Sequence, residues 1–136
     1  MKKALLIIAL GFLLSGCFPG LSNPGKRAAD QPGDFLKGRV AKGFPDLPLY
    51  PEAKLAESYG DSESYGASAY TKDEIDKVVK FYDLNLNALG WESTFVQDSS
   101  ARYTFEIKNQ GQRGWVIINT AVDGKTVAIT FSVTKR

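Results

Sequence analysis

Three turn signals in the last third of the chain agree on one pairing of strands. That agreement constrains the fold more than any other feature. Four runs of strand character, residues 91–97, 102–108, 113–122 and 125–134, follow Gly90. Asp123-Gly124 is a two-residue hairpin signal, which sets Thr120 opposite Val127, Ile118 opposite Ile129 and Val116 opposite Phe131. With Gln110-Gly111 as the preceding turn, Phe105 faces Val116, Tyr103 faces Ile118 and Ala101 faces Thr120. A three-residue turn over residues 98–100 sets Phe95 opposite Tyr103 and Trp91 opposite Ile107. A slip of one residue in any turn would exchange the two faces, yet all three put the same large side chains together.

Ahead of these runs lies one amphipathic helix. Thr71 stands three residues before Glu74, a capping-box spacing, and Asp73, Glu74 and Asp76 crowd the end where the helix dipole favours negative charge. Apolar residues recur at Ile75, Val78, Val79, Tyr82, Leu86 and Leu89, widened by Phe81 and Leu84, and Gly90 is placed to end the helix as a left-handed cap. Residues 53–59 and 64–70 read as two further strands around the polar turn Gly60-Asp61-Ser62-Glu63. The folded part is expected to begin at Leu47-Pro48-Leu49-Tyr50-Pro51, where two prolines hold the backbone extended. The predicted architecture is α+β: an antiparallel sheet of about six strands in the order β-β-α-β-β-β-β, with the helix packed on one face.

The first 17 residues, MKKALLIIALGFLLSGC, have a different character. Lys2 and Lys3 precede an apolar run from Ala4 to Leu14, and Leu14-Ser15-Gly16-Cys17 closes it. A positive start, a short apolar core and small residues at the end are the marks of a secretory signal peptide. The run is too short for the ~20 residues that a membrane-spanning helix needs. Leu-Ser-Gly-Cys resembles the lipobox of bacterial lipoproteins. The resemblance implies cleavage between Gly16 and Cys17, a thioether-linked diacylglycerol on Cys17 and acylation (palmitate or similar) of the new amino group. Two or more chains hold a protein stably at a membrane, at roughly 0.8 kcal/mol per buried methylene. Phe18 stands where some Gram-negative bacteria place a retention aspartate, so under that sorting rule the expected address is the outer membrane.

Residues 17–46 read as the lipidated cysteine and a flexible tether, leaving 47–136 as the folded domain. The tether holds four prolines and five glycines with no apolar period, and as a coil it would reach roughly 30 Å. Lys26, Arg27, Lys37, Arg39 and Lys42 outnumber Asp30, Asp34 and Asp46, which suits a solubilising spacer or weak contact with anionic headgroups. Loss of residues 1–16 removes two lysines and leaves 15 basic against 15 acidic residues, so there is no basic footprint for nucleic acid. Cys17 is the single cysteine and histidine is absent, which removes an internal disulfide together with the commonest general base and metal ligand.

If the large residues face the helix, the opposite sheet face carries Arg102, Thr104, Glu106, Trp115, Ile117, Asn119, Ala121, Thr126, Ala128, Thr130 and Ser132. Trp115 and Ile117, with Thr104, Asn119 and Thr130 around them, form the candidate partner surface, because an exposed aromatic among short polar side chains is an anchor used at interfaces and carbohydrate sites. The plainer reading places Trp115 beneath the tether or leaves it without a partner, as scattered exposed apolar residues often are. Asp61 and Glu63, and Asp73, Glu74 and Asp76, match no calcium-loop spacing, and no nucleophile motif, phosphate loop or zinc pair is present. No cofactor, metal site or catalytic residue is expected.

The string Leu47-Pro48-Leu49-Tyr50-Pro51-Glu52-Ala53, with Phe81-Tyr82, Leu86 and Gly90-Trp91, resembles small uncharacterised bacterial exported domains that open with Pro-x-Tyr-Pro-Gly-Ala and carry a helix ending in Gly-Trp. Glu52 stands where those domains have glycine. The resemblance implies the fold and an envelope location and assigns no activity. The expected function is a lipid-anchored, non-enzymatic binding or assembly module of the bacterial cell envelope, with an envelope protein or glycan as partner. The alternatives are an envelope hydrolase or modifying enzyme acting on peptidoglycan or glycan, or a protein inhibitor of one.

Overall fold

A computed structural model describes residues 39–136. The signal segment, Gly16, Cys17 and most of the expected tether lie outside the described residues. β1 (Lys54–Gly60) and β2 (Ser64–Thr71) form a hairpin, α1 (Ile75–Ala88) follows, and β3 (Glu92–Ser99), β4 (Arg102–Lys108), β5 (Gln112–Thr120) and β6 (Val127–Lys135) run as an antiparallel meander. β2 joins the meander through β6, giving one six-stranded sheet in the order β1-β2-β6-β5-β4-β3. The α+β fold is the one read from the sequence. No helix among the described residues is long and apolar enough to cross a membrane.

An Asp or Asn locks each of three hairpin turns with its own side chain. Asp61 Oδ1 accepts the N–H groups of Glu63 and Ser64, Asn109 Oδ1 those of Gly111 and Gln112, and Asp123 Oδ1 those of Lys125 and Thr126. These bonds imitate a backbone turn and so fix the register of the strands on either side. Phe105 pairs with Val116, Ile118 with Ile129 and Val116 with Phe131, as expected. The loop around Gly124 is wider than the expected two residues, since β5 stops at Thr120 and Ala121 N–H donates to Thr126 O. The widening is symmetric about Asp123-Gly124, so the register survives it.

The third turn differs from expectation. Phe95 stands opposite Phe105 and Ser93 opposite Ile107, a shift of two residues. A bulge between Gln97 and Ser99 takes up an extra residue and leaves a tighter turn at Ser100-Ala101. The bulged Asp98 accepts Thr104 Oγ1 at 2.9 Å and pairs with Arg102 Nε at 3.3 Å, interactions the three-residue turn would not make. A shift of two preserves the faces, so Phe95 still points to the helix side. It lies on the edge strand, however, and is 45% exposed.

The helix begins later than its spacing implied. Thr71 is the last residue of β2, paired with Val127, and its Oγ1 accepts Asp73 N–H at 3.2 Å. Glu74 is the N-cap and makes no side-chain cap bond, so the expected capping box does not form. The sheet ladder holds Thr71 extended. At the other end Gly90, with φ +84°, completes a Schellman cap: Gly90 N–H donates to Asn87 O and Trp91 N–H to Leu86 O. Val78, Tyr82 and Leu86 are fully buried and Ile75, Val79 and Phe81 partly so. Leu84 (63% exposed) and Leu89 (49%) fall off the buried stripe, contrary to expectation.

α1 lies over the β3–β5 side of the sheet. The segment leading into β1 covers the remainder of the same face. Ala41 is buried and donates its N–H to Ser58 Oγ at 2.8 Å. Phe44 makes edge contacts with Tyr65 (6.2 Å) and Phe131 (6.3 Å), and Leu47 and Pro48 are buried. The packed body therefore reaches back to Ala41, ahead of the expected start at Leu47. The opposite sheet face carries no layer made of described residues.

Candidate functional site

The uncovered face is built by strand parity. With Val116, Ile118, Ile129 and Phe131 buried beneath the helix, their neighbours Trp115, Ile117, Thr130 and Ser132 point the other way. Cross-strand pairs then place every expected contact residue on one surface. Ile117 lies between Thr104 and Thr130, Trp115 between Glu106 and Ser132, and Asn119 between Arg102 and Ala128. Trp115 is 46% exposed, whereas Ile117, Thr104 and Asn119 are half-buried and Thr130 is exposed. The described part of the expected tether packs on the helix side, so it does not cover Trp115.

Two shallow depressions flank the Trp115–Glu106 pair. One, of about 370 Å³, runs over Val96, Asp98, Arg102, Thr104 and Ile117. The other, of about 320 Å³, is lined by Glu92, Thr94, Lys108, Arg113 and Arg136. Ion pairs cross this half of the sheet at Lys108–Glu92 (2.9 Å) and Arg102–Asp98 (3.3 Å), both exposed and so of little energetic weight. Aromatic and hydroxyl side chains beside such charges can hold a polar partner by stacking and hydrogen bonding.

The face also holds residues the sequence reading passed over. Ser68 and Tyr70 of β2 continue it beyond β6, where they pair with Thr130 and Ala128. Tyr59 lies flat across Gly66, where a Cβ would collide with the ring. Arg113, Lys108, Thr94 and Arg136 border the smaller depression. Parity from the Gln110-Gly111 turn was enough to find Arg113 and Lys108. The β2 residues depended on the β2–β6 pairing, for which no local turn speaks.

One carboxylate from each acidic cluster, Asp61 and Asp73, serves the fold. Asp73 accepts the Tyr50 hydroxyl at 2.7 Å, and this hydrogen bond pushes the Tyr50 phenol up to about 12. Asp61 is held below the usual carboxylate range by the N–H groups of Glu63 and Ser64, and Asp123 by the Thr126 hydroxyl and the N–H groups of Lys125 and Thr126. Burial raises the Tyr82 phenol, whose oxygen accepts Tyr50 N–H at 3.2 Å. No group of three or more Asp, Glu, Cys or His side chains among the described residues is placed to hold a metal ion. Comparison with protein-family models, with curated proteins and with solved structures finds no match for this chain.

Proposed function

We propose that the chain is a lipid-anchored, non-enzymatic binding or assembly module of the bacterial cell envelope. It holds an envelope protein or glycan on the open sheet face around Trp115. The observation that carries the binding half is the layering. Both the helix and the lead-in segment pack on one side of the sheet, while an indole sits 46% exposed on the other among short hydroxyl side chains. Exposing a large aromatic there without a partner forgoes the burial that such side chains otherwise gain. The anchoring half is supported by the Leu14-Ser15-Gly16-Cys17 string at the end of an 11-residue apolar run from Ala4 to Leu14. Acyl chains on Cys17 would hold the module at the membrane, at the outer membrane where Gram-negative sorting reads Phe18.

Recovery of partners from solubilised membranes tests this reading. The native protein is expected to retain a partner that Trp115→Ala loses, with both proteins equally folded by circular dichroism. Equal recovery by the two would remove the open face from the account.

A further inference from the structure

We propose that the depression between β3, β4 and β5 takes an acidic saccharide, its ring laid on Trp115 and its carboxylate or phosphate held by Arg113. This names the ligand class for the binding face above and rests on that reading.

The strand register sets two cations side by side, because Lys108 stands directly opposite Arg113. Like charges so placed oppose pairing of the strands. Glu92, on the other flank of Lys108, pairs with it at 2.9 Å and relieves that cation only. Arg113 has Thr134 as its other cross-strand neighbour and no carboxylate partner among the described residues. Its guanidinium is thus left over beside the depression, two residues from the indole on the same face. A guanidinium fork matches a carboxylate or a phosphate oxygen pair.

The remaining lining suits a sugar ring. Trp115 offers an apolar plane for C–H faces. Glu106, opposite Trp115, and Thr94, opposite Glu106, line the same hollow and offer a carboxylate and a hydroxyl for ring hydroxyls. A volume of about 320 Å³ is at the small end of ligand sites, of a size for one or two sugar units rather than a folded partner's loop. A neutral sugar would use Trp115 and Glu106 but leave Arg113 idle. The anionic substituent is what Arg113 adds, with Arg136 on the same rim as a second cation.

The test is titration of the full chain with a uronic-acid oligosaccharide, its neutral methyl ester and a sugar phosphate. Trp115 emission is the readout, since Trp91 is 3% exposed and gives a steady background. Both acidic ligands are expected to bind, and their ranking tells which acid the site is shaped for. The neutral ester should bind at least about tenfold more weakly, and Arg113→Gln should reduce the acidic ligands to the neutral level. Trp115→Phe, followed by calorimetry, should keep measurable binding. Equal affinity for the acidic and neutral forms, or for wild type and Arg113→Gln, would overturn the proposal. So would the absence of any saccharide binding. In that last case, loss of a membrane partner on Trp115→Ala would still uphold the binding face.

Discussion

The indole N–H of Trp91 donates to the carbonyl oxygen of Asp46 at 2.8 Å, fastening the residue after the helix cap to the segment that leads into the sheet. With Ala41 on Ser58 and Phe44 against Tyr65 and Phe131, this bond makes the lead-in a structural part of the domain. Trp91→Phe keeps most of the buried ring and loses the bond, a cost of about 1 kcal/mol. Phe44→Ala should cost about 2 kcal/mol, less than for a fully buried ring, because Phe44 is half-buried. At this size each kcal/mol lowers the melting temperature by roughly 4–8 °C, which thermal denaturation resolves. An unchanged melting temperature for Phe44→Ala would return the lead-in to the tether.

Gly114 tests the close approach of β5 to β6. A Cβ there would lie 2.8 Å from the Val133 Cα and closer still to Ser132 O, both backbone atoms that cannot swing aside. Gly114→Ala is expected to destabilise by about 2 kcal/mol or more, as overpacking does. Gly111→Ala meets nothing within 4 Å and serves as the control, with a change within about 0.5 kcal/mol. Chemical denaturation of the pair measures the difference.

Acid sensitivity should arise in the turns. Asp61 and Asp123 have folded-state pKa values below their unfolded ones, so their contribution is complete above about pH 4 and is lost as the pH falls through the lower folded values. The melting temperature should therefore drop below pH 4. An Asp61→Asn, Asp123→Asn double variant should show a shallower drop, because its acceptors no longer titrate.

Alkaline sensitivity should arise at Tyr50. Its folded pKa is raised to about 12 by the bond to Asp73, so the stability it contributes is complete below the unfolded value near 10 and disappears as the pH rises through 12. Tyr50→Phe should flatten that alkaline limb in a pH series of melting temperatures.

What the sequence showed of the fold follows the range of the interactions concerned. Hairpin registers were legible because Asn109 and Asp123 write them locally, and the face assignment survived even where the β3–β4 turn was misjudged, since a shift of two residues keeps parity. The capping box was not safe to read from spacing alone, because the ladder with Val127 competes for Thr71 and wins. Exposure of Leu84 and Leu89 could not be foreseen from helical period, which gives a stripe but not its limits. Of the candidate face, Trp115, Ile117, Thr104, Asn119 and Thr130 followed from parity within the meander. Tyr70 needed the pairing of β2 with β6, two strands separated in sequence by the helix and the rest of the meander, and Tyr59 needed β1 paired on the far side of β2.

The most direct measurement of the central claim compares oxidative labelling of the two tryptophans in intact envelopes and in the purified protein. Trp91 is buried and should resist labelling in both settings, whereas Trp115 should be labelled in the purified protein and protected in the envelope. Equal labelling of Trp115 in both would mean that nothing covers the open face in the proposed envelope setting, contradicting the account.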